Sequence, residues 1–442
     1  MSMSSLLVRN ATILTLNDAR DVVTGAVSIV DGRIASVGDE PPAPHDRVID
    51  AAGDWLLPGF VQTHVHLCQT LFRGYADDLR LLDWLKRRVW PMEAAHTAAS
   101  LRASARLAAA ELLRTGTTAV LTMETVRETE AVCEAIAASG LRATIGKCMM
   151  DADEAVPKGL RESTRGSIDE SLALRRTWHG AADGRIRVAF APRFAISCSR
   201  PLLEEVAALS AEHDCLVHTH ASESRGEIAV VRERTGMDNV PYLADTGLAS
   251  PRLCAAHCVW VDEAAQALIA EHGIRVLHCP GSNLKLGSGL APVPELRARG
   301  VTVSLGADGA ACNNRLDMFD EMRLAGLIQS LRREPGALAA LDVLIMATRE
   351  GARTLGLDAE IGSIEPGKRA DLILVGRTAP HLAPGTDPYS TLVYAARGTD
   401  VRTTIVDGHV LVDEGRLVRE DAVEIVATAH AEARALARRA GL

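Results

Sequence analysis

PGFVQTHVH, residues 58–66, is where the pattern of this chain changes. Upstream, LLVRNATILTLND (6–18), GAVSIVDGRIASVG (25–38) and RVIDAAGDWLLPG (47–59) alternate apolar and polar residues, and Asp31-Gly32 reads as a hairpin turn. A small antiparallel sheet is expected there. Downstream, β-rich runs alternate with longer Ala/Leu/Glu/Arg stretches of helical character. After the run closing on His64 and His66 come TTAVLTM (117–123), RATIGKCMM (142–150), IRVAFAP (186–192), CLVHTHA (215–221), LCAAHCV (253–259), RVLHCP (275–280) and VTVSLGAD (301–308). Eight strands separated by helices over about 300 residues predict an α/β fold, a (β/α)8 TIM-like barrel with its working groups where strands end. A doubly wound open sheet is the alternative, but no G-x-G-x-x-G turn follows the first strand.

Beyond residue 360 the alternating pattern returns in GSIEPGKRADLILVG (362–376) and VRTTIVDGHVLVDEGRL (401–417), with a second turn at Asp407-Gly408. The two chain ends are expected to build one small β-sandwich. The last stretch, 419–442, has helical spacing without Pro or Gly until Gly441 and predicts a terminal helix. The expected division is 1–58 and 359–418 for the sandwich, 59–358 for the barrel and 419–442 for the helix.

The 442 residues, 47% hydrophobic and 24% charged, suit one large core and a smaller one. The amino terminus lacks a basic start followed by an apolar segment, and no run reaches the length of a membrane span, so a cytoplasmic protein without a membrane partner is expected. Nine cysteines, an odd number with no C-x-x-C pair, argue against disulfides, zinc ribbons and the Cys-x-x-Cys deaminases. A net charge of −9 without a basic cluster argues against nucleic acid, leaving a small molecule as the expected partner.

Chemistry concentrates at the strand ends. In a strand, residues two apart share a face, so His64 and His66 can reach one ion, as can residues of HTHASE (218–223). Fourteen histidines give by chance roughly half of one His-x-His pair, so placement decides, and both pairs close apolar runs. His220 ends the fifth strand, His257 lies in the sixth and Asp308 ends the eighth. Imidazoles with one carboxylate leave a divalent metal room for a water, as in catalytic rather than closed structural sites. Glu223, three residues past His220, is placed for general acid–base work. Taken singly, each of these residues also reads as an ordinary strand-end or loop side chain. His218, His278, Ser282 and Asn283 receive no role from the sequence.

PGFVQTHVH, HTHASE, AAHC (255–258), HCPGSNLKLGSG (278–289) and GADGAACNNRLDMFDEMR (306–323) together resemble the amidohydrolase superfamily, in its branch of amino-heterocycle deaminases and triazine hydrolases. The resemblance implies a mononuclear zinc site, with iron as the alternative, held by His64, His66, His220 and Asp308. It gives His257 the orienting of the attacking water and Glu223 the proton shuttle. Binuclear relatives carry a bridging lysine at the end of the fourth strand, whereas this one ends APRFAIS (191–197), so one metal is expected. The implied reaction is hydrolytic: Asp308 takes the water's proton, Glu223 protonates the ring nitrogen beside the carbon bearing the amine, and ammonia leaves. A homo-oligomer, dimer or larger, is also compatible with the resemblance.

LCQTLFRGYADDLRLLDWLKRRVWPMEAAH (67–96) is similar to the matching segment of adenosine, S-adenosylhomocysteine and methylthioadenosine deaminases, which implies that Trp84 lines the pocket and Glu93 holds ribose hydroxyls. Gln69 and Arg193-Phe194 instead resemble guanine deaminases, where the matching glutamine and arginine bind a purine edge. An adenosine-type nucleoside is the expected substrate. A free base such as guanine or isocytosine and an s-triazine are the alternatives. A non-catalytic relative predicts a gap among the ligands and the shuttle, and there is none; hydantoin-type hydrolysis calls for the bridging lysine.

Overall fold

The computed structural model describes residues 5–41, 44–152 and 156–442. All eight expected runs are strands of one parallel sheet: Phe60–His66, Thr117–Met123, Arg142–Met149, Ile186–Pro192, Val217–Ala221, Leu253–His257, Arg275–His278, and a divided eighth strand, Val303–Leu305 and Asp308–Gly309. The division closes the barrel. Val303–Leu305 pairs with the seventh strand, and Asp308–Gly309 crosses to the first, setting Asp308 opposite Val65 and Gly309 opposite His66. Gly306 stands at the crossing, where a Cβ would lie 2.6 Å from both the backbone N and O of His64. Only a residue without a side chain lets the two strands approach this closely. The strands are buried on both faces, as their near-continuous apolar runs require.

The chain ends share a single mixed sheet. Ser5–Leu14 pairs antiparallel with Val22–Val30 and parallel with Trp55–Pro58; Trp55–Pro58 then pairs antiparallel with Leu372–Val375, from more than 300 residues later. The sheet continues through Val401–Val406, His409–Asp413 and Arg416–Leu417. Asp31-Gly32 and Asp407-Gly408 both take positive φ at the two central positions, the backbone of a type I′ turn. Sheet and barrel are joined by a buried ion pair, Arg142 Nε and Nη2 donating to Asp371 Oδ2 and Oδ1 at 2.7 and 2.9 Å.

The terminal helix, Ala422–Arg439, starts at Asp421, whose carboxylate accepts from the Val423 N–H. It buries Ile425, Ala429, Leu436 and Ala437 along one stripe and packs against the helix Ala98–Arg114. Among the described residues no helix is long and apolar enough to cross a membrane.

Candidate active site

The carboxyl ends of the barrel strands bring His64, His66, His220 and Asp308 together, with one potential ligand atom of each within 4.8 Å of all the others. His64 Nε2 and His66 Nε2 lie 3.3 and 3.2 Å from Asp308 Oδ1, and His66 Nε2 lies 3.3 Å from His220 Nε2. The backbone at these ends is bent out of the strand geometry. Ser222, His257, Cys258 and Asp308 all have positive φ, between 44° and 72°, a concentration of non-glycine strain of the kind found at working sites.

These residues fit a metal. Each imidazole turns Nε2 inward while its Nδ1 is engaged behind it: His66 with the Met123 carbonyl at 2.7 Å, His220 with the Arg193 carbonyl at 2.8 Å, His64 with His218 at 2.6 Å. His64 Nε2 is buried and has no hydrogen-bond partner, a lone pair otherwise left without one. Burial pushes His64 down to about 4 and His220 well below its ordinary range, so both rings are neutral, the form that binds metal. Burial alone would raise Asp308, but His64 and His66 outweigh it and hold the carboxyl well below the usual range. Ser282 Oγ donates to Asp308 Oδ2 at 2.6 Å and the Gly309 N–H to Oδ1 at 2.8 Å. Among the described residues this is the one such cluster of His, Cys, Asp and Glu.

Glu223 and His257 flank the cluster. His257 Nε2 is 3.7 Å from Glu223 Oε2 and 3.8 Å from Asp308 Oδ2, while its Nδ1 donates to Asn283 Oδ1 at 2.9 Å. Burial lowers the pKa of His257, but the Glu223 and Asp308 carboxylates more than offset this and raise it. Burial pushes Glu223 up to about 7. Its side chain accepts from Ser288 Oγ at 3.3 Å, and its backbone N–H donates to Glu227 Oε2 at 2.7 Å.

A narrow pocket opens onto these groups, walled by Gln69, Leu81, Trp84, Leu85, Arg193, Phe194 and Leu286. Trp84 comes from the short helix Leu81–Trp84 and Glu93 from Trp90–Ala94. Arg193 and Glu93 form a buried pair, with Nη1 to Oε2 at 2.5 Å and Nη2 to Oε1 at 3.2 Å, and Gln69 Nε2 donates to Glu93 Oε1 at 3.0 Å. Three of the four expected pocket residues thus form one network, with the Gln69 carbonyl oxygen buried and unpartnered beside it.

The family model of the amidohydrolases matches residues 55–411. Over 419 residues the chain is 44% identical to the 5′-deoxyadenosine deaminase of Methanothermobacter thermautotrophicus, covering 94% of this chain and 95% of that one. The chain belongs to the amidohydrolase family. A 5-methylthioadenosine/S-adenosylhomocysteine deaminase of Desulforudis audaxviator is 40% identical, over 98% and 99% of the two chains. The crystal structure of a zinc-bound adenosine deaminase from Xanthomonas campestris superimposes on this amidohydrolase with a TM-score of 0.92 at 33% identity, over 98% and 99% of the chains.

The amidohydrolase site holds further residues to which the sequence reading assigned no role. Ser282 and Asn283 read equally as turn formers, yet they hold Asp308 and His257. Ser288 lies in the motif HCPGSNLKLGSG, and Glu227 completes the Ser224-x-x-Glu227 capping box that starts the helix Arg225–Thr235, a signal for a helix start rather than for a site. His278 is also buried, with no partner at either ring nitrogen; burial first, then the charge of His257, pushes it down to about 3. Lys147 stands on the third strand, opposite Phe190 of the fourth, and donates to Glu162 Oε1 at 2.6 Å.

Proposed function

We propose that this amidohydrolase is a metal-dependent deaminase of adenosine-type nucleosides (5′-deoxyadenosine, methylthioadenosine, S-adenosylhomocysteine or adenosine), adding water at the amino-bearing ring carbon and releasing ammonia with the inosine analogue. The observation that carries it is Glu223, a buried carboxyl raised to about 7, beside a three-histidine, one-aspartate cluster at the mouth of a barrel. Similarity to nucleoside deaminases along nearly the whole chain supports the same reading.

A single divalent ion, zinc in this reading because a similar structure holds zinc, would sit among His64, His66, His220 and Asp308 and supply the Lewis acidity that makes water nucleophilic near neutral pH. The residues around it divide the proton traffic. Asp308, held as a carboxylate and hydrogen-bonded by Ser282, accepts the proton of the attacking water. Glu223, protonated near neutrality, gives its proton to the ring nitrogen beside the reacting carbon, which makes that carbon electrophilic. His257, its tautomer fixed by Asn283, turns Nε2 toward the charge that develops on the added oxygen. The proton held by Asp308 then passes to the amine, which leaves as ammonia, and the added hydroxyl gives up its proton to Glu223, so that the ring becomes a lactam.

Glu93 is the ribose acceptor in this proposal. A carboxylate offers about four acceptor positions, and Arg193 and Gln69 take three, so Glu93 keeps one for a sugar hydroxyl while the Gln69 carbonyl offers another. The test is ammonia release by zinc-loaded protein on adenosine, 5′-deoxyadenosine, methylthioadenosine, S-adenosylhomocysteine, guanine, isocytosine and an amino- or chloro-triazine. Turnover confined to the adenosine compounds is expected; preference for guanine or isocytosine would sink the nucleoside assignment and leave the metal cluster standing.

A further inference from the structure

We infer that His218 is a positioning residue for the metal ligand His64, deciding which of its ring nitrogens faces the ion. The inference rests on the metal reading of the cluster. A histidine ligand coordinates through one nitrogen, and the proton on the other needs an acceptor that fixes tautomer and ring angle. His66 and His220 meet this need with backbone carbonyls, which only accept, so each carries its proton on Nδ1 and leaves Nε2 for the cluster. His64 has no carbonyl there. Its Nδ1 lies 2.6 Å from His218 Nε2, and one proton must be shared between the two nitrogens. Because Nε2 is the nitrogen that faces the cluster, it must keep its lone pair for the ion, so in the metal-loaded site the proton belongs on His64 Nδ1 and His218 Nε2 accepts it.

The fold explains why the acceptor is a side chain. His64 and His66 share a face of the first strand, and His218 and His220 share a face of the fifth. The residue two places before each strand-end ligand sits one layer deeper in the barrel, where the two rings meet at 89° with centroids 4.8 Å apart. Both are 0% exposed, so water cannot stand in for either. Among the three imidazole ligands, His64 alone depends on a partner that a substitution can remove.

The test compares His218→Leu, which fills space without an acceptor, with His218→Gln, whose carbonyl can take the same proton. Zinc affinity is read by competition with a chromophoric chelator, and melting of both metal-free variants checks the fold. His218→Leu is expected to weaken zinc binding roughly 10- to 100-fold, with most of the loss recovered in His218→Gln. Unchanged affinity in His218→Leu, or equal loss in both, would overturn the proposal. Should neither variant fold, the wild-type protein decides: a crystal structure with zinc is expected to show His64 coordinating through Nε2, and coordination through Nδ1 would overturn it. Wild-type protein that takes up no zinc would instead remove the metal reading on which the proposal rests.

Discussion

Glu223 shows how much of the chemistry sits in single side chains and their immediate neighbours. Its pKa near 7 comes from burial, its direction from Ser288 and its backbone position from Glu227, just after Ser222 in a left-handed conformation. Glu223→Gln and Asp308→Asn are each expected to cut kcat/KM by roughly 10³-fold or more without loss of fold, checked by steady-state kinetics and circular dichroism. Glu223 must hold a proton to donate it, so its contribution declines as pH rises through about 7, and the wild-type kcat/KM should fall on that limb. Stability has the same sign. A carboxyl raised on folding from its ordinary 4.5 stabilises the fold below that value, and the contribution is lost as pH rises through 7. Glu223→Gln should therefore lose less melting temperature than the wild type between pH 5 and pH 8; equal losses would mean that Glu223 does not titrate there.

Strand ends and crossings are where elements, rather than residues, set the site. Gly306 lets the divided eighth strand reach the first, which carries Asp308 to His64 and His66. Gly306→Ala should force these strands apart, costing about 1–3 kcal/mol in urea unfolding and weakening zinc uptake. The Arg193–Glu93 pair works across elements in the same way, tying the loop after the fourth strand to the helix Trp90–Ala94. Removing one partner leaves a buried charge, so Arg193→Met should destabilise by about 3–5 kcal/mol, whereas the double variant with Glu93→Gln should lose less than the sum of the singles. Glu93→Gln should also slow turnover of a nucleoside more than that of free adenine. Equal slowing would remove the ribose role.

At the scale of the whole molecule, the ligands come from the first, fifth and eighth strands, so an ion would clasp the barrel across its circumference. Dialysis against a chelator should lower the melting temperature and abolish turnover, and added zinc should restore both, with a stabilisation that grows with the logarithm of free metal. All nine cysteines are free and buried, and burial pushes Cys148, Cys254 and Cys258 up to about 12. A thiol reagent should find almost none of them in the native protein and all nine after unfolding.

The local pattern of the chain determined a good deal. Eight apolar runs with helical stretches between them specify a barrel, because burial on both faces leaves a parallel strand few polar positions. His64 with His66 was legible because strand periodicity puts residues two apart on one face at one strand end, and Glu223 because it follows the strand-end ligand His220 by three residues, just past the strand Val217–Ala221. The pairings between distant residues were not legible. Arg193 meets Glu93 across 100 residues and His64 meets His218 across 154, while Asn283 holds His257 from the short helix Pro280–Lys285, a stretch that reads as a turn. A sequence records which way each residue faces along its own element; which residues stand opposite one another is decided only when the strands close and the loops above them pack.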